Sequence, residues 1–284
     1  METVAIVGVG LIGASFGLAL RQAGFAGEII GVSSQPAIAA GLKRGAISST
    51  ASLKEAGRKA DLIYLAQPVD RILDTIPLLA PVLRKESLVT DAGSTIEQIV
   101  ARARAHLPPG CFLGGHPIAG KEKRGPEAAD GDLFRDRLYV LTPEHESNVD
   151  MNHKRLEDFR ETLRSIGARV LEMSAKEHDH TVAFTSHLPQ LLSTALAATL
   201  ARDGETTVNQ VFGSGLLDMT RLALSSHELW SSILSTNKIP VSEAIDSLIK
   251  VLCELKANLG ERELADTFEQ ATRFASSIRN QSQH

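Results

Sequence analysis

"VAIVGVGLIGASFG", residues 4–17, is the stretch on which the fold turns. A short apolar, β-branched run ends in glycine, and Gly8, Gly10 and Gly13 keep the G-x-G-x-x-G spacing just as a helical pattern opens at Leu11. In a strand–turn–helix unit each glycine has its own task. Gly8 permits the tight turn, Gly10 lets the backbone approach a pyrophosphate, and Gly13 lets helix and strand pack closely. The helix N-terminus adds free amide donors and the positive end of its dipole. Glycine triplets are common by themselves; the strand before and the helix after make this one a dinucleotide-binding loop, with Leu11 and Ile12 in its first helical turn. The stretch is apolar enough to resemble a leader, but it has no basic n-region and its glycines fall at structural spacing, so it reads as fold.

Working outward, the pattern repeats. "EIIGVS" (28–33), "LIYLAQP" (62–68), "LVTDAG" (88–93), "CFLGGH" (111–116), "YVLTP" (139–143) and "RVLEM" (169–173) are short runs bounded by Gly, Pro, Ser or Asp. They read as strands. Helical patterns occupy 11–23, 36–44, 69–83, 95–105 and 153–166. Alternation of this kind predicts an α/β, Rossmann-type, doubly wound and mostly parallel sheet over residues 1–173. Beyond Met173 the strand signals stop. Leu188, Leu191, Leu192, Ala195 and Leu196 keep helical spacing, as do 241–259 and 263–278, so residues 174–284 are predicted as an all-α domain. With 284 residues and 43% hydrophobic content the chain should fill two cores.

Charge and cysteine usage narrow the function classes. Lys plus Arg number 30 against 34 Asp plus Glu, so no basic field exists to grip a polyphosphate backbone, and 4% aromatics offer few platforms for bases. Nucleic acid is excluded as a partner on these grounds. Cys111 and Cys253 lie far apart, form no C-x-x-C pair and read as core residues of a cytoplasmic protein. No run of about 18 apolar residues occurs, so no membrane span is expected.

The end of the second strand speaks to cofactor choice. An NAD-selective site carries Asp or Glu there, on the ribose 2′-hydroxyl. Here the chain reads Val32-Ser33-Ser34-Gln35. No carboxylate repels a 2′-phosphate, and Ser33 and Ser34 are able to donate to one, so NADP is favoured with NAD possible; the arginine that often clamps the phosphate is missing. Gln67 and Pro68, which close "LIYLAQP", complete the expected cofactor contacts.

Four further stretches carry chemistry: "DAGSTIEQI" (91–99), "GGHPIAGKEKRG" (114–125), "EHDHTVAFTSHLPQ" (177–190) and "GSGLLDMTRLALSSHELWSSILSTN" (213–237). With the glycine loop, and in this order, they make the chain resemble the prephenate and arogenate dehydrogenase family of tyrosine biosynthesis over essentially its whole length. The resemblance implies an N-terminal Rossmann domain, a helical domain that dimerises, and an oxidative decarboxylation between them. It also implies roles by position. His116 falls on the catalytic histidine, Ser94 on the serine that orients it and the substrate hydroxyl, and Arg221 on the arginine that binds the ring carboxylate. Glu122 and His187 fall in or beside the substrate pocket. Gln190 departs from the pattern, since many prephenate-using relatives carry a second histidine there. The expected reaction is prephenate to 4-hydroxyphenylpyruvate. Arogenate or dual specificity is the alternative, and a non-catalytic NADP-binding sensor a distant one, against which His116, Ser94 and Arg221 all stand.

The residue types suit that chemistry in themselves. A neutral imidazole that accepts the hydroxyl proton builds alkoxide character and drives hydride out, and a planar guanidinium matches two carboxylate oxygens. Ser94 would also cap the helix expected from Thr95. His187 reads equally as a satisfied interior histidine. His180 shares a helical face with His187, at spacing seven, yet has no counterpart in the family pattern; His178, His180 and His187 are not read as metal ligands, because positions i and i+2 of a helix point apart. Lys121, Lys123 and Arg124 form a solvated loop or attract an anionic substrate.

Overall fold

A computed structural model describes residues 1–143, 150–203 and 210–281. Eight strands, β1 (Thr3–Val7), β2 (Glu28–Val32), β3 (Ser49–Thr50), β4 (Leu62–Leu65), β5 (Leu88–Asp91), β6 (Phe112–Pro117), β7 (Leu138–Thr142) and β8 (Arg169–Glu172), form one sheet in the order β3-β2-β1-β4-β5-β6-β7-β8. Every neighbouring pair is parallel except β6 and β7. Residues 4–7 of β1 and all of β4 are buried, as central parallel strands covered on both faces must be, which is why they read as continuous apolar runs. The helices of this half are α1 (Leu11–Gln22), α2 (Gln35–Lys43), α3 (Leu53–Lys59), α4 (Val69–Leu79), α5 (Glu97–His106) and α6 (Asp150–Ser165). The pattern reading lacked β3, whose two polar residues carry no signal. It also lacked α3, whose signal was present: Ser52 and Glu55 form a reciprocal capping box.

Strand order reverses between β1 and β4, the crevice where doubly wound sheets bind ligands. There the two loops touch. Gly8 has φ +98, and a Cβ on it would stand 2.5 Å from the Ala66 carbonyl oxygen. A Cβ on Gly13 would stand 2.1 Å from the Gly8 oxygen, so α1 packs on the turn only because that atom is absent.

After Glu172 the chain enters α7 (Ala175–Val182), again through a capping box, Ser174 with Glu177. A π-helical turn at Ala183–His187 joins it to α8 (Leu188–Asp203), and α9 (Ser214–Thr220), a 3-10 turn at Arg221–Leu224, α10 (His227–Thr236), α11 (Lys238–Ala257) and α12 (Leu264–Gln281) follow. Two apolar layers flank the sheet, one around Phe16, Tyr64 and Tyr139, the other around Ile63, Ile72 and Ile99. The expectation of a second filled core is corrected. Among the described residues of the helical half only Ala183, Val241 and Ala244 gather as a buried apolar cluster, while Leu224, Leu259, Phe268 and Phe274 are exposed. Helical spacing marks an apolar face without saying what covers it. For the same reason Cys111 is buried as expected but Cys253 is exposed on α11. Among the described residues no helix is long and apolar enough to cross a membrane.

Candidate active site

β6 pairs with β5 only at Phe112 and Leu113, then continues against β7, where His116 lies opposite Val140. The strand thus carries a half-buried His116 past the end of β5. Its Nδ1 lies 2.9 Å from Nε2 of His178, and the rings meet edge to face at 5.0 Å. Nδ1 of His178 lies 2.8 Å from Oδ1 of Asp179. Asp179 also accepts from the amides of Ile96 (2.8 Å) and Glu97 (3.0 Å). A carboxylate of the helical half therefore caps α5 of the sheet half. This corrects the capping role expected of Ser94: α5 starts at Glu97, and its amides are met by Asp179. The Ser94 hydroxyl is half-buried and makes no hydrogen bond among the described residues, so the group that orients His116 in this structure is His178.

Hydrogen-bond chemistry fixes the tautomers. Asp179 acts as acceptor toward two amides and so receives the Nδ1 proton of His178. Nε2 of His178 is then an acceptor, the Nδ1 of His116 must donate to it, and Nε2 of His116 keeps its lone pair. Burial above all, then the proximity of His178 and His187, hold the His116 imidazolium well below its ordinary pKa. The result is a neutral base with a fixed direction.

His187 closes the group. It is buried at the end of the π-helical turn, Nδ2 of Asn237 lies 3.2 Å from its Nδ1, and the Trp230 ring stands edge to face at 5.8 Å. Burial pushes its pKa down to about 4, against the pull of Asp179 and with a smaller push from His178. His178 and Asp179 on α7 are buried, and the π turn shifts the helical phase that follows so that His187 is buried as well, while His180 is exposed with its ring tilted against Phe184 at 5.1 Å. Further bonds join the halves here, Thr95 to Thr236 at 2.7 Å and Gln98 to the Thr236 carbonyl at 3.0 Å, and within the helical half Asn237 donates to the Asp179 carbonyl at 2.7 Å. No group of three His, Cys, Asp or Glu among the described residues is placed to hold a metal ion.

Arg221 and Glu122 form a second cluster. Arg221, exposed at the start of its 3-10 turn, places Nη1 3.4 Å from Oε1 of Glu122, across the cleft from the "GKEKRG" loop. They share a cavity of about 760 Å³ with Gly120, Arg124, Leu224 and Ser226; His116 does not line it. Of the basic run, Lys121 pairs with Asp130 and Arg124 donates to Ser226. Gln190 is buried, its Nε2 donating to the Leu222 carbonyl (2.9 Å) and to Oγ1 of Thr194 (3.3 Å). The amide is thus part of the scaffold that holds the Arg221 turn, a use the sequence did not suggest. Sequence reasoning also missed His178 and Asp179 as members of the site, although the adjacent His-Asp pair was the signal for them.

The cofactor cradle fits a nicotinamide dinucleotide. A Cβ on Gly10 would meet nothing within 4 Å, so the turn lies open, and no side chain caps the amides of α1. Ser33 and Ser34 are exposed at the end of β2, with Ser34 N-capping α2 through its backbone alone. Gln67 is held by Thr75 at 2.9 Å, and Pro68 precedes α4.

Comparison with known proteins agrees with this geometry. The family profile described as "Prephenate dehydrogenase, nucleotide-binding domain" matches residues 16–172, and "Prephenate dehydrogenase, dimerization domain" matches residues 174–278. A prephenate dehydrogenase of Lactococcus lactis subsp. cremoris is 33% identical over 270 residues, 93% of this chain and 73% of the relative. The crystal structure of prephenate dehydrogenase from Aquifex aeolicus, in complex with hydroxyphenyl propionate and NAD+, superposes with a TM-score of 0.90 at 31% identity, covering 98% of each chain. Synechocystis arogenate dehydrogenase gives 0.83 at 29% identity, over 98% of this chain and 100% of that one.

Proposed function

The chain belongs to the prephenate dehydrogenase family of oxidoreductases, and from that premise we propose that it converts prephenate to 4-hydroxyphenylpyruvate in tyrosine biosynthesis. Residues 1–173 hold the dinucleotide, and residues 174–284 supply the substrate grip and the contact with a second copy. Bound on the glycine loop, the nicotinamide supplies a hydride acceptor. The rest falls to the protein. Nε2 of His116 accepts the hydroxyl proton of the cyclohexadienol, and the alkoxide character that develops expels hydride from the same carbon. The ring carboxylate then leaves as carbon dioxide, its bonding pair enters the ring, and the aromatic phenolate recovers the proton from His116. Ser94 directs the hydroxyl. Arg221 holds the ring carboxylate in a two-oxygen fork, exchanging Glu122 for substrate. His187 and Gln190 face the side chain.

The observation that carries this reading is the chain His116–His178–Asp179, which leaves one ring nitrogen of His116 free as an acceptor. It is tested by assaying prephenate and arogenate, each with NAD and with NADP, on the parent and on His116→Asn. No nicotinamide reduction with either substrate would overturn it and leave a binding protein.

The finer cofactor reading is NADP. No carboxylate ends β2, and Ser33 and Ser34 are exposed there. Ser33→Asp should move preference toward NAD, and a parent at least about tenfold better with NAD would refute it. The second substrate reading, arogenate, rests on Gln190. Homodimerisation through the helical half is supported by its uncovered apolar residues, and a cytoplasmic location by the cysteine usage, two residues far apart in sequence with no C-x-x-C pair.

A further inference from the structure

Asp91 is fully buried, ends β5 and takes no part in the mechanism above. Its Oδ2 accepts from the Gly93 amide at 2.9 Å, and its Oδ1 accepts from the Gly115 amide at 3.0 Å. Gly93 precedes Ser94 and Gly115 precedes His116. The parallel ladder between β5 and β6 stops at Thr90 and Leu113, so the carboxylate takes the Gly115 amide where backbone pairing has ended. A Cβ on Gly115 would stand 3.0 Å from the Asp91 carbonyl oxygen, tight enough that the strand or the loop would have to give by a few tenths of an ångström. That carbonyl is itself bonded by the Tyr139 hydroxyl, at 3.3 Å.

We propose that Asp91 is a positioning residue for the reaction: its one carboxylate ties the loop bearing Ser94 to the strand bearing His116 and so sets the distance between the two groups that meet the substrate hydroxyl. The assignment of the reacting groups rests on the proposed function; the tie itself does not.

The tie is strongest as a carboxylate, since protonation turns one oxygen into an O–H donor and leaves it a poor acceptor for the amide it faces. Burial pushes the Asp91 carboxyl up to about 7, against the Gly93 and Gly115 amides that favour ionisation, while Asp179 on α7 adds repulsion. The other titratable groups around it are Tyr64 on β4 and Tyr139 on β7, both raised by burial and neutral here, with His116 beyond Gly115. His116 itself stays neutral well below pH 6.5. As pH falls through about 7, Asp91 takes up a proton, one accepted amide bond is lost, and the base is misplaced without being protonated. The acid limb of activity near neutrality therefore belongs to Asp91.

Two measurements test this on the whole chain. In the parent, the imidazole nitrogen resonances of His116, assigned against His116→Asn, should shift through an inflection near pH 7 while keeping the neutral Nδ1–H pattern. Asp91→Asn keeps the shape but turns an NH2 group toward one of the two amides. It should abolish that inflection and the matching limb of kcat/KM, and lower kcat about 10- to 100-fold with dinucleotide Kd within about twofold. A parent without the inflection, or Asp91→Asn with kcat within about twofold of the parent, overturns the proposal. If the variant does not fold, the parent's resonances decide alone. If the parent oxidises neither substrate, the functional reading fails while the resonances still test the tie.

Discussion

In the sheet half, Phe16, Tyr64 and Tyr139 are closed to solvent between layers of helix, whereas in the helical half Leu224 is 88% exposed and Phe268 and Phe274 stand open beside a buried cluster of Ala183, Val241 and Ala244. One half completes its core from its own sequence, and the other leaves its apolar faces for something else to cover. The chemistry divides the same way. On the proposed reading, the base, the glycine loop and the dinucleotide crevice belong to the sheet, while the groups that aim the base (His178, Asp179) and the arginine proposed to grip the substrate (Arg221) come from the helices. A self-contained scaffold thus meets a half that reaches full shape through contacts, and the site lies where they meet.

The strongest break in that comparison is removal of the base. His116→Asn should lower kcat by about two to four orders of magnitude with cofactor binding unchanged, because the sheet half holds the dinucleotide without it. Single-turnover rates with a fluorescence titration of the reduced cofactor check both sides; a loss of only a few fold would leave His116 an ordinary residue of β6. The sign of its pH dependence follows from burial. Its pKa is lowered, so protonation, and with it loss of the base, sets in only well below pH 6.5. The sequence alone would place that limb at the ordinary histidine value.

Next in size is the helical half's control of the base. Asp179→Asn presents an amide where His178 needs an acceptor, favours the wrong tautomer along the chain, and weakens the cap on α5. An approximately hundredfold loss of kcat is expected, with little change in KM. An imidazole nitrogen spectrum in which His116 keeps the parent tautomer would contradict the account even if activity fell.

These first effects also mark what could be read from sequence. The glycine loop, six strands after it in runs of four to six residues and the position of His116 were legible because each is a local pattern: apolar runs, turn residues, a histidine between two glycines and a proline. β3 was not, since Ser49 and Thr50 are held by edge pairing to β2 rather than by a pattern of their own. Asp179 was not, because its task joins residue 179 to residues 96 and 97, and such a separation leaves no periodic trace. Ser94 is the nearest capping residue in sequence; the structure uses one more than eighty residues away. The inside of the helical half was overestimated for the converse reason, since periodicity reports a face and not its partner.

The grip on the substrate should be measurable apart from the base. Arg221→Ala should raise KM roughly tenfold to a hundredfold with kcat little affected, the value of a charge-assisted fork lost from binding. Lysine should restore little, because a point charge does not reproduce two parallel donors. An unchanged KM would leave Arg221 as no more than the partner of Glu122.

The uncovered helical faces predict a second copy of the chain. Phe268→Glu places a charge on an exposed apolar face of α12 and should weaken self-association at least about tenfold, read by light scattering against concentration. The sheet half should still bind dinucleotide. A parent that is monomeric at micromolar concentration would mean that the open faces serve some other contact.

The smallest expected effect lies at Gln190, and it sharpens the division between scaffold and grip. The Leu222 carbonyl can only accept, so the Gln190 NH2 must face it, and with Thr194 both amide protons are engaged. What remains is the Oε1 acceptor. An acceptor suits the ammonium of arogenate better than the keto oxygen of prephenate, which needs a donor. Glutamine there should therefore permit arogenate turnover beside prephenate, whereas a histidine able to donate or carry charge should disfavour the ammonium. Gln190→His is expected to change the ratio of the two kcat/KM values about three- to tenfold toward prephenate, since a single neutral hydrogen bond is worth about 1 kcal/mol. Some loss with both substrates should accompany it, because the same substitution frees the Leu222 carbonyl and loosens the turn that starts at Arg221. The two effects separate cleanly: loosening the turn raises both KM values together, while the change of acceptor moves only their ratio. An unchanged ratio would make Gln190 a part of the scaffold and nothing more.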